Sequence, residues 1–141
     1  MISKVDPALL AAYAATHYVV KGSEPSFVLH VGQSSAELQV LQQQHGVACS
    51  SFLTAWNPGS RRRANEINEA AQAELEATLR EAGFPLFAGI GMDPGGDWPG
   101  EPSVLVLGIG REHAERLGRQ YGQNAILWIA ADAVPEMVLL T

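Results

Sequence analysis

Asn57-Pro58-Gly59-Ser60 runs straight into three consecutive arginines, Arg61, Arg62 and Arg63, at the start of an expected helix. A helix N-terminus presents unpaired N–H groups and partial positive charge, so it suits a phosphate or carboxylate. The arginines would add charge-assisted hydrogen bonds. The same residues also make an ordinary helix-leading turn with solvated arginines beside it, and both readings stand at this level. Asn65, Asn68 and Gln72 follow as a polar strip on that helix, spaced to share one side. Asparagine is a poor interior helix residue, so the strip points either to ligand contact or to satisfaction of loop carbonyls. Gln123 and Asn124 carry the same two readings, because a buried amide network would also fix loops.

Trp56 and Trp98 offer flat surfaces for a planar ligand, or cover for the core. Asp93, Asp97 and Glu101 are spaced by four in a Gly/Pro-rich stretch, a pattern that matches no calcium loop. No metal and no cofactor is therefore expected. If catalysis occurs, Asp93 or Glu101 is the plausible general base. Gly108-x-Gly110-x-x-His113 imitates a dinucleotide fingerprint, but His113 stands where glycine or alanine is required. Cys49 reads as a small packed hydrophobe. Ser50, Ser51 and Thr54 lack a glycine-flanked nucleophile elbow. His17, His30, His45 and His113 have no ligand-like spacing.

The elements that must position these groups follow from periodicity and caps. A chain of 141 residues with 47% hydrophobic residues is expected to form a single domain over 1–141 with its own core. The net charge of −6 argues against double-stranded nucleic acid as a partner. One cysteine, no targeting pattern over residues 1–6 and no long apolar run point to a cytoplasmic protein with no membrane partner. Asp6-Pro7 starts a helix over 7–15. Strands are expected at 18–21 and 27–31, and a helix from Ser34 to residue 44. Residues 47–56 form the next strand. A long helix over 62–82 carries Ile67, Ala71, Leu75, Leu79 and Ala82 as its buried stripe. Strands at 86–92, 104–109 and 125–131, a helix at 111–121 and a short strand at 138–140 complete the list.

From about residue 49 this is the ferredoxin-like order βαββαβ, a mostly antiparallel α+β fold preceded by a helix, a strand or hairpin and a second helix. If consecutive elements alternate in direction, one edge gathers Thr54, Trp56, Asn57, Arg61–Arg63, Asn65, Asn68, Asp93, Trp98, Glu101, Gln123 and Asn124. Sites in layered folds often sit at such strand ends.

Thr54-Ala55-Trp56-Asn57-Pro58, Asn65 and Asn68, Trp98 near Glu101, and Gly122-Gln123-Asn124-Ala125 together resemble an uncharacterised bacterial family of domains of unknown function. The resemblance runs from about residue 13 to 128, and the chain departs from the family pattern at Gly59. It implies a shared fold and a shared polar edge, and no reaction. The residues favour a site for a small anionic or nucleotide-like metabolite, formed by Thr54, Trp56, Asn57, Arg61, Arg62, Arg63, Asn65, Asn68, Trp98, Gln123 and Asn124. The competing reading is a protein-interaction module without a small-molecule site, using the end at 138–140 as an edge strand.

Overall fold

A computed structural model describes residues 6–95 and 100–140. Helix α1 (Pro7–Ala15) starts as its sequence dictates: the Asp6 carboxylate accepts the Ala8 N–H at 2.7 Å, and Pro7 occupies the first turn. Strands β1 (His17–Val20) and β2 (Phe27–Leu29) follow, then α2 (Ala36–Gln44), capped by Ser35 through the Leu38 N–H. Strand β3 (Ser50–Leu53) leads through a short 3-10 turn (Pro58–Ser60) to α3 (Asn65–Glu81). The hairpin β4 (Leu86–Met92) and β5 (Glu101–Leu107), helix α4 (Arg111–Gln120), and strands β6 (Ala125–Ile129) and β7 (Pro135–Leu139) complete an α+β fold.

The strands form one sheet in the order β2-β1-β4-β5-β3-β6-β7, and every neighbouring pair is antiparallel. Directly paired residues share a face of such a sheet, and successive residues alternate. One face packs Leu53, Val104, Val106, Ile126 and Val138 against Leu75 and Leu79 of α3 and Ala114 and Leu117 of α4. The other packs Phe52, Leu105, Leu107, Leu127 and Ile129 against Leu38 and Leu41 of α2. Among the described residues, no helix is long and apolar enough to cross a membrane.

Several expected boundaries move: β3 covers 50–53 and not 47–56, β2 ends at 29 and not 31, and α2 starts at 36 behind a Ser35 cap and not at Ser34. Helix α3 begins at 65 and not at 62, because Asn57, Gly59 and Ser60 all adopt positive φ and Arg61 is extended. Its buried stripe is Asn68, Gln72, Leu75 and Leu79, while Ile67 is 55% exposed. The helix is therefore rotated from the expected setting at its N-terminal end, where loop amides need partners more than the core needs another methyl. Strand β5 begins at Glu101 and not at 104, since Pro102 pairs with Ile90 and does not break the hairpin. Strand β6 ends at 129, and β7 runs 135–139, pairing with β6 along its whole length. The C-terminal segment at 138–140 is thus an outer strand whose Leu140 N–H returns to the Asn124 carbonyl at 2.8 Å.

Candidate functional site

The register of the sheet explains why a cavity exists. On the α2 face, one row across four adjacent strands is large: Phe87, Leu105, Phe52, Leu127, with Met137 on the outer strand. One step towards the strand ends that meet α3, the row becomes small at Ser103 on β5, Thr54 just past the end of β3 and Ala125 on β6, while the Phe52 ring takes the space over Gly89, the partner of Ser103. A further step gives Tyr18, Gly91 and Glu101, paired in line across β1, β4 and β5. Large side chains fill the lower half of this face, and small ones leave the upper half open. Helix α1 lies over the gap and contributes Leu9, Ala12 and Tyr13, yet none of its residues is buried. The space is about 830 Å³, within the usual range for small-molecule sites.

The polar edge expected from strand alternation meets at the mouth of this space. Thr54, Trp56, Asn57, Arg62, Arg63, Asn65, Gln123 and Asn124 all line it, as does Glu101. Asn124 donates to the Tyr13 hydroxyl at 3.1 Å, and that hydroxyl lies 2.6 Å from the Ser60 hydroxyl. Gln123 donates to the Trp56 carbonyl at 3.2 Å. Residues more than a hundred positions apart are therefore joined by direct bonds across the opening.

Within that set the roles divide. Asn68 is fully buried and stands behind the wall. Its Oδ1 accepts from the Asn57 N–H at 2.9 Å and from Arg63 Nε, and its Nδ2 donates to Asn57 Oδ1 at 2.7 Å. Arg63 also donates to the Ala55 carbonyl at 2.9 Å. Gln72 accepts the Ala55 N–H at 2.8 Å, and the Thr54 hydroxyl donates to the Pro102 carbonyl at 2.8 Å. These four side chains hold the loop between β3 and α3 in its left-handed turn, so their polar atoms serve the scaffold. Arg62 and Asn65 are exposed at the rim, and among the described residues neither side chain has a hydrogen-bond or ion-pair partner. Helix α3 starts beside them, and Ala64 offers no side chain to cap its first N–H groups, so the positive end of the helix adjoins the rim.

Arg61 is exposed and does not line the cavity. Asp93 also lies outside the lining. Trp98 and Asp97 fall outside the described residues. The Gly108–Gly110 turn lies at the opposite end of β5 from Glu101. Cys49 donates its thiol to the Ile109 carbonyl at 3.1 Å, and burial raises its pKa, as suits a packed thiol.

Glu101 is the group whose setting was least visible beforehand. It sits in the sheet on the cavity face, and burial pushes its carboxyl up to about 7. Tyr18, in line with it across Gly91, donates its hydroxyl to the Tyr13 carbonyl at 2.7 Å and is pushed to about 12, chiefly by burial. Tyr13, Tyr18 and Ser60 were not singled out from the sequence. Tyr13 carried a signal only in retrospect: a polar-tipped residue on the inward stripe of an otherwise apolar helix.

A family model described as "Protein of unknown function (DUF3293)" matches residues 53–126, just over half of the chain. The chain belongs to this family. The DUF3293 span contains the loop between β3 and α3, Glu101 and the Gln123-Asn124 turn, so it carries most of the cavity mouth. Tyr13 and Tyr18, which close the other side, lie before it. No curated protein and no solved structure matches the chain.

Proposed function

We propose that this domain binds a small anionic or nucleotide-like molecule in the cavity beneath α1. The observation that carries the reading is the junction of Asn57, Arg62, Asn65, Gln123 and Asn124 along the rim of one cavity. The anionic end lies at the rim, where the Arg62 guanidinium and the positive end of α3 favour negative charge. The body of the molecule rests on Phe52, Leu127 and Met137, with Trp56 as a flat wall. Asn57 serves by shaping the loop, since its side chain is engaged by Asn68 and by the Arg63 N–H. The ferredoxin-like reading of the segment from β3 to β6 draws support from the neighbour order β4-β5-β3-β6, with α3 and α4 packed on the opposite face of the sheet and only the N-terminal end of α3 reaching the cavity rim.

A thermal-shift screen of nucleotides, phosphorylated metabolites and organic acids tests the proposal. A ligand present at a hundredfold excess over its Kd stabilises by about 2.7 kcal/mol, a rise of several degrees. At least one anionic compound is expected to give such a rise, and Arg62→Glu is expected to remove more than half of it. No shift with any compound, or an equal shift in the variant, would refute anion binding at this rim.

A further inference from the structure

Resting on the cavity reading above, we infer that the ligand also carries an ammonium group seated against the Glu101 carboxyl, so that it is a zwitterion with its anion towards Arg62. The geometry around Glu101, on the sheet side of the cavity, carries this. Tyr18, Gly91 and Glu101 are cross-strand partners on one face, and the middle position has no side chain. A methyl group placed there would meet only Thr16 Cγ2, at 3.7 Å. Open space therefore lies directly beside the carboxyl.

The neighbouring donors are already committed. The Tyr18 hydroxyl donates to the Tyr13 carbonyl, the Ser103 hydroxyl to the carbonyl of Glu101 itself at 2.9 Å, and the Thr54 hydroxyl to Pro102. Arg63 is turned to Asn68 and Ala55. Among the described residues, no hydrogen bond or ion pair reaches the Glu101 carboxylate. The titratable and charged groups lining the same cavity are Tyr13, Tyr18, Arg62 and Arg63, and no lysine or histidine is among them. A half-buried carboxylate without a partner is costly, so its ionisation is disfavoured unless something supplies positive charge or donors. Burial holds it near 7 in keeping with that. A second anion there would compound the cost, whereas an ammonium would relieve it.

The test uses three probes of one shape, phenethylamine, 2-phenylethanol and 3-phenylpropanoate, titrated against the full chain by amide NMR. Phenethylamine is expected to move the Gly91, Glu101 and Ser103 amides and to bind about tenfold more tightly than 2-phenylethanol. That advantage is expected to vanish in Glu101→Gln, and in the unmodified protein to be about tenfold greater at pH 8 than at pH 6, following ionisation of the carboxyl. Equal affinity for the amine and the alcohol, or an advantage that survives in Glu101→Gln, overturns the inference. Shifts at Asn65 with 3-phenylpropanoate but none with phenethylamine would overturn it and leave the anion site standing. If no probe moves any amide of the cavity, both proposals fall.

Discussion

Asn68→Ala is expected to destabilise the domain by about 3 kcal/mol and to lower Tm by roughly 10 °C. The side chain is fully buried and takes part in four hydrogen bonds that tie Asn57 and Arg63 to α3. Truncation leaves the Asn57 N–H and the Arg63 Nε without their acceptor, and an orphaned buried donor costs about 1–3 kcal/mol. Arg63 keeps its bond to the Ala55 carbonyl, which limits the loss. The control is Asn65→Ala, three residues earlier on the same helix. That side chain is exposed at the rim and has no partner among the described residues, so its loss should change stability by less than about 0.5 kcal/mol. Chemical denaturation of both variants checks the contrast. Similar effects from the two would mean that the buried amide clamp does not hold the loop.

The second large effect concerns pH. The Glu101 carboxyl is raised from 4.5 to about 7, chiefly by burial. A raised acid binds its proton more tightly in the folded chain than in the unfolded one. Its contribution is therefore fully favourable below the unfolded value of about 4.5, declines as pH rises, and is lost once pH passes the folded value near 7. Glutamine mimics the protonated acid and does not ionise. Glu101→Gln should then match the unmodified protein near pH 4 and exceed its stability by about 2–3 kcal/mol at pH 8, allowing for water at the cavity mouth. Denaturant midpoints measured at both pH values decide this. A difference that is the same at both would show that the carboxyl is not held out of water.

Much of the edge was legible because direction alone dictates it. Once elements alternate up and down, Asn57, Asn65, Gln123 and Asn124 must come to one end of the sheet, whatever the order of strands. Which amides face outward was not legible. Asn65 and Asn68 look alike in the sequence, and only the rotation of α3 separates them. That rotation follows from the positive φ of Asn57 and Gly59, which turns the loop so that its amides point at the helix. The expected stripe through Ile67 assumed that methyl groups decide helix orientation, but unsatisfied backbone groups decided it here.

The depth of the cavity was hidden for another reason. It arises from Gly91, Ser103, Thr54 and Ala125 lying close together, and they come from different parts of the chain whose order and register no local pattern reveals. Glu101 was placed in a Gly/Pro-rich stretch between strands, whereas the hairpin extends past Pro102 to include it. Helix α1 was legible as a helix from its Asp6-Pro7 start. Its role as the roof of the space needed the sheet beneath it to be known.

The most direct test of the account is to fill the cavity. Gly91 is extended, buried and open above, so a leucine there would project into the space and encounter little else. Native mass spectrometry of the unmodified protein and of Gly91→Leu, each equilibrated with a small-molecule extract, reads the outcome. The account expects a bound species of discrete mass on the unmodified chain and none on a Gly91→Leu protein that remains folded. Identical spectra, with the same adduct retained by both, would contradict it.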